Sequence, residues 1–200
     1  MTVVIPVAME VIKEEDLVVD AIAKNEASVF SITKEAQDET GNIIEVSAGK
    51  GFVISNEGII VADSSLVYEG GTYFVKNSSG KFKASFISSN KNGFSLIKIG
   101  TPLDEKNKIS YTVPILGDLS KMKIGQKVLI LGNTISSFIF EGGKDVKINV
   151  TKSNGGAMVL NLEGEVLGVA LSSDSNSFAS ADSILESLKS KDVKVENKTP

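Results

Sequence analysis

The chain has 200 residues, 42% hydrophobic and 23% charged, with a formal net charge of −4 and neither histidine nor cysteine. That is the composition of a soluble globular chain long enough to bury a real core in one or two domains. The absent residue types exclude disulfides, thiol catalysis and thiolate metal sites, and no metal or cofactor is expected. Lysines dispersed among acids, with no basic stripe along the sequence, argue against nucleic acid as a partner.

The opening Met1–Met9 is apolar but falls well short of the ~20 residues of a membrane span, and it lacks the basic flank of a signal peptide. From Ala8 to Lys24, Val11, Ile12, Leu17, Val18, Ala21 and Ile22 recur at helical spacing, with Glu14, Glu15, Asp16 and Asp20 opposite. An acidic polar face makes this a packing helix rather than a membrane-surface one. From Ala27 the pattern changes to short strands: Ser28–Ile32, then a polar loop to Gly41-Asn42, Gly51–Ser55, Ile59–Ala62, Thr72–Lys76, Lys81–Ile87 and Phe94–Ile99. Asn77-Ser-Ser-Gly80 reads as a hairpin turn. The polar stretch from Gly100 to about Ser110 reads as a connection between halves. The second half offers Lys127–Leu131, Ser137–Phe140, Val146–Val150, Ala157–Leu160 and Val166–Leu171 as strands, and Gly70-Gly71 and Gly142-Gly143 as turns. A closing helix starts near Asp182 or Ser183, where Ser183 and Glu186 have capping-box spacing. Many short strands with helices only at the ends point to an all-β fold of barrels or sandwiches.

Four blocks give the chain a resemblance to a known family. Gly51-Phe-Val-Ile-Ser-Asn-Glu-Gly-Ile-Ile-Val61, Phe94-Ser-Leu-Ile-Lys-Ile99, the passage Ile115–Asn133 and Asn161-Leu-Glu-Gly-Glu-Val-Leu-Gly-Val169 stand in the order seen in HtrA/DegP-type trypsin-fold serine proteases. The resemblance implies two antiparallel six-stranded β-barrels with N- and C-terminal helices, a cleft between the barrels, and no PDZ domain following. The implied organisation is a helical extension at 1–26, a first barrel at 27–100, a linker at 101–112, a second barrel at 113–181 and a helix and tail at 182–200.

Carried over residue by residue, the family's catalytic positions are altered. The histidine position matches Ser65, the aspartate position matches Gly93, and the nucleophile falls on Asn154 if Gly155-Gly156 are aligned with the family's paired glycines, or on Gly155 by ungapped counting from Asn161. Serine hydrolases of this kind need a neutral imidazole as general base, and this chain has none. The passage Val150-Thr-Lys-Ser-Asn154 is also shorter than the family's oxyanion loop, which must hold backbone N–H groups in one geometry. The expectation is a pseudoprotease without catalytic residues. A Ser–Lys dyad could replace the triad, but adjacent Lys152 and Ser153 on an extended segment point opposite ways. Asp63, Asp118, Asp174 and Asp182 lie in separate turns without metal-loop spacing.

What remains is a degenerate substrate cleft at Ser153, Asn154, Gly155, Gly156, Phe178, Ala179 and Ser180, where a protein or peptide partner could pair by strand addition. Phe178 reads first as a core aromatic and only second as a ligand contact. Two further roles stand beside that one: a hydrolase with a non-histidine base, and a structural domain of a membrane-anchored envelope protein. Two locations stay open, the cytoplasm and an extracytoplasmic compartment reached by a signal or anchor ahead of this sequence, and the second is the expectation. The resemblance also implies a possible homo-oligomer formed through the region before the first barrel.

Overall fold

The computed structural model describes residues 13–143, 146–173 and 177–190. Helix α1 (Glu14–Asn25) leads into eleven strands in the described residues, and helix α2 (Ala181–Lys189) closes them. The first half is a closed antiparallel barrel of β1 (Val29–Gln37), β2 (Ile43–Val53), β3 (Ile59–Asp63), β4 (Tyr73–Asn77), β5 (Gly80–Ser89) and β6 (Phe94–Pro102), in the order β1-β2-β3-β6-β5-β4 with β4 returning to β1. Phe30 and Ile32 of β1, Val53 of β2, Ile60 of β3, Tyr73 and Val75 of β4, Phe82 of β5 and Ile97 of β6 fill its interior.

The second half contains β7 (Lys127–Leu131), β8 (Ile135–Ile139), β9 (Ala157–Leu160), β10 (Val166–Ala170) and β11 (Phe178–Ser180), ordered β11-β10-β9-β7-β8. Among the described residues it is thus a five-stranded sheet where a six-stranded barrel was expected. A single parallel bridge from Leu116 to Val166 adds to it. Val146–Val150, expected as a strand, forms none: Ile148 is buried and donates its N–H to Ser177 Oγ at 3.0 Å.

The outer faces of β2, β3 and β6 supply Phe52, Ile59, Val61 and Leu96 to a second core shared with Leu129, Met158, Leu160, Val169, Ala21 and Ile184. This double burial explains the unbroken apolar run Ile59-Ile-Val-Ala62, because a strand covered on both faces has no polar side to alternate. Helix α1 is anchored there by Asn25, whose Nδ2 donates to Ala21 O at 2.9 Å and Gly164 O at 2.8 Å. It begins at Glu14, whereas the spacing predicted a start at Ala8; residues 8–12 lie outside the described ones.

Three boundaries differ from expectation. Strands β1 and β2 pair as far as Gln37 and Ile43, so the polar loop is confined to a turn built on Asp38, whose Oδ1 accepts from Thr40 N and Asn42 N. Strand β6 continues to Pro102, into the expected linker. The cap of α2 is Ser180, which accepts from Ser183 N, so Ser183 occupies the third helical position.

Candidate functional site

The chain leaves β3 at Asp63 in a tight turn, with Leu66 N and Val67 N both donating to Asp63 O. The Asp63 side chain is fully buried. An isolated carboxylate there would be costly, and only hydrogen bonding offsets its lost hydration. Asp63 Oδ1 accepts from Ser65 N at 2.9 Å and Ser65 Oγ at 2.7 Å, while Oδ2 accepts from Ser172 N at 2.6 Å and Ser172 Oγ at 2.7 Å. Ser172 lies just beyond β10, so one carboxylate fastens the barrel to the second half. Ser65 Oγ and Ser172 Oγ are 3.3 Å apart.

Gly155 faces this cluster. A Cβ there would lie 2.6 Å from Asp63 Oδ2, 2.8 Å from Leu66 Cδ1 and 2.9 Å from Ser172 Oγ. Gly156 has φ of +86°, and a Cβ on it would overlap the Lys50 carbonyl oxygen. The main chains interlock here: Lys50 N donates to Gly155 O at 2.8 Å, and Gly156 N donates to Ala170 O at 2.8 Å. Gly93 joins through its backbone, its carbonyl accepting from Ser64 N at 3.0 Å.

Asn154 points elsewhere. Its Oδ1 accepts from Asn133 N at 2.7 Å and its Nδ2 donates to Thr134 Oγ1 at 3.0 Å, tying the 3-10 turn Lys152–Asn154 to the β7–β8 connection. The structure therefore gathers Ser65, Gly93 and Gly155, and separates Asn154 from them. Ser153 Oγ pairs with Thr151 Oγ1 at 2.9 Å. The N–H groups of Asn154 and Gly155 donate to Thr151 O and Lys152 O, closing the turn on itself. Phe178, Ala179 and Ser180 form edge strand β11: Phe178 packs on the core of the second half, Ala179 is buried, and Ser180 caps α2. These three side chains build the sheet and helix rather than line the Asp63 cluster.

Asp63 and Ser172 escaped the sequence reading as partners. Asp63-Ser-Ser65 after an apolar run is a signature of a side chain folding back on its own turn. Nothing in sequence points across to Ser172. A lysine amine within hydrogen-bonding reach of a serine does occur, away from Ser153: Lys50 Nζ donates to Ser31 Oγ at 2.8 Å, and burial pulls this amine below its ordinary value. Among the described residues, no group of three or more carboxylates, histidines or cysteines could hold a metal ion, and no helix is long and apolar enough to cross a membrane.

Two halves joined along a seam, with Ser65, Gly93 and Gly155 near it, match known proteins. A probable periplasmic serine endoprotease, DegP-like, of Brucella suis is 29% identical over 156 residues, covering 68% of this chain and 29% of the relative. The serine protease HTRA1B of Danio rerio is 24% identical over 178 residues, covering 77% of this chain and 36% of the relative. The solved structure of the HtrA-type protease AlgW with decapeptide superposes with a TM-score of 0.68 at 16% identity, over 86% of this chain and 66% of that one. The chain thus has a trypsin-like fold similar to that of the HtrA-type protease. It spans about a third of the length of the curated HtrA-like relatives it matches. No protein-family model matches the chain.

Proposed function

We propose that this HtrA-like domain is a non-catalytic module that binds a protein or peptide. The observation that carries the reading is the Asp63 carboxylate, held by four donors against Gly155. A nucleophile's side chain at 155 would compete with that carboxylate for space. Ser65, in the family's histidine position, donates its hydroxyl to Asp63 and offers no base. Without a base a serine hydroxyl is a poor nucleophile at neutral pH. The inward-closed N–H groups of Asn154 and Gly155 further support the reading, since an oxyanion needs donors aimed outward at it.

Binding requires none of these groups, because strand addition uses backbone hydrogen bonds. The solved HtrA-type protease AlgW is described with a decapeptide, and β11, an edge strand of the second sheet, is open to extension by one more strand. The test is to incubate the chain with unfolded, fluorescently labelled casein and a fluorophosphonate probe. We expect retention of intact casein on gel filtration, no cleavage and no serine labelling. A triple variant, Ser65→His with Gly93→Asp and Gly155→Ser, should remain inactive, because the new serine meets Asp63. Turnover by either protein, free of contaminating protease, would overturn the proposal.

A further inference from the structure

Outside the Asp63 cluster, a nucleophilic pair stands at the seam between the halves. Phe30 and Ile32 point into the barrel, so Ser31 between them points out. The β1–β2 register sets Lys50 opposite Ser31, and the amine crosses to the hydroxyl at 2.8 Å. The Lys50 backbone is pinned at the same time. Its N–H is bonded to Gly155 O, and the preceding Gly49 admits no side chain, because a Cβ would overlap that same carbonyl. A lysine tethered at the main chain and guided at its tip keeps its amine in one place, unlike the freely rotating lysines of a solvated face.

The surroundings favour the neutral amine. Burial is the cause of its lowered pKa. Two further cations stand on the elements around it: Lys76 on β4 is the other register partner of Ser31, and Lys152 belongs to the 3-10 turn packed against β2. On β1, Lys34 turns toward Leu66 O and Tyr68, and Glu35 pairs in register with Glu45. On β3, both oxygens of Asp63 are engaged by Ser65 and Ser172. The described ion pairs, Lys81 with Glu45 and Lys127 with Glu14, do not include Lys50.

We propose that Lys50 is an acyl-acceptor site, its amine oriented by Ser31 toward small activated acyl donors such as acyl phosphates and thioesters. With one amine hydrogen directed at Ser31 Oγ, the nitrogen lone pair is free to attack the donor's carbonyl carbon. The C–N bond forms, the C–O bond to phosphate or the C–S bond to thiolate breaks, and the leaving group departs with its electron pair. The proton released by nitrogen passes to water through the Ser31 hydroxyl. The product is an amide at the seam and one positive charge fewer. This site is independent of whether the neighbouring cleft binds peptide.

Acetyl phosphate is the probe, with the full chain digested after timed exposure between pH 7 and 9 and each lysine's occupancy read by mass spectrometry. Each unit of pKa lowering gives about tenfold more neutral amine, or roughly threefold faster reaction after allowing for its weaker nucleophilicity. Lys50 should therefore be acetylated faster than exposed Lys98 of β6, and its rate should level off at lower pH. Ser31→Ala should shift the pH profile of Lys50 while leaving that of Lys98 unchanged, and Ser31→Thr, which keeps the hydroxyl, should restore it. Acetylation of Lys50 no faster than Lys98 across the range, an unchanged profile in Ser31→Ala, or an acetyl ester on Ser31 in place of the Lys50 amide would each overturn the assignment.

Discussion

In the first half six strands close on themselves, with β1 finding β4, and the interior is filled by the barrel's own residues. In the second half the described strands end at β8, where Ile135 and Ile139 are exposed, and one face of the sheet is covered by the outer wall of the barrel together with both helices. The contrast shows where stability is shared. The barrel has a core that needs no partner, whereas much of the second half's apolar face is buried only when the halves meet.

The sharpest way to break this comparison is at the interlock. Gly156→Ala demands a side chain at positive φ and against the Lys50 carbonyl, so it should cost at least about 3 kcal/mol and lower both halves together in urea unfolding. A loss below about 1 kcal/mol would mean that the seam yields easily. Core truncations come next, at about 2–5 kcal/mol each, and they should differ in reach. Leu160→Ala, in the shared core, should speed amide hydrogen exchange in β3 and β9 alike, whereas Phe82→Ala, inside the barrel, should loosen β4 and β5 while β10 stays protected. Equal reach for the two variants would erase the distinction.

Asp63→Asn preserves shape but replaces an acceptor with an amide that faces serine donors, and should destabilise by about 2–4 kcal/mol. Ser172→Ala removes one hydroxyl from the same carboxylate and should cost about 1–2 kcal/mol. If Asp63→Asn proves the milder of the two in urea unfolding, the carboxylate does not fasten the halves.

The smallest effect belongs to the barrel surface. Hydrogen bonds from Lys81 and then Thr33 hold the Glu45 carboxyl below its ordinary value. A depressed carboxyl contributes stability above its unfolded pKa and loses it as pH falls through the folded one. Because about a third of each side chain is exposed, the contribution is about 0.2–1 kcal/mol. Glu45→Gln should flatten that part of the acid limb below about pH 4.5, measured as the change in unfolding free energy between neutral pH and pH 3.

Much of the fold was legible where local chemistry decides it. The Asn77–Gly80 turn, the apolar run of β3 and the strands of the four resembling blocks all stand where their residues place them. Val146–Val150 misled because alternation reports one buried face, and Ile148 satisfies that by burial without a strand partner. The length of β1 and β2 was hidden because their far ends carry Glu35, Gln37 and Glu45, polar residues that a ribbon exposed on both faces accepts. The site was legible only as a set of positions matched through the resemblance. Counting residues left Asn154 and Gly155 equivalent, and only the fold shows that Gly155 faces Asp63 and Ser172 while Asn154 turns toward Thr134. The Asp63–Ser172 contact spans 109 residues, and no periodicity or spacing reports it.

The central proposal is that the seam between the halves holds a carboxylate fastening in place of a catalytic centre. Prolonged incubation of the purified chain with a fluorophosphonate probe, followed by peptide mapping of every serine, tests this most directly. The account predicts no stoichiometric adduct and no casein cleavage in the same sample. Stoichiometric labelling of Ser65, Ser153 or Ser172, accompanied by turnover, would contradict it.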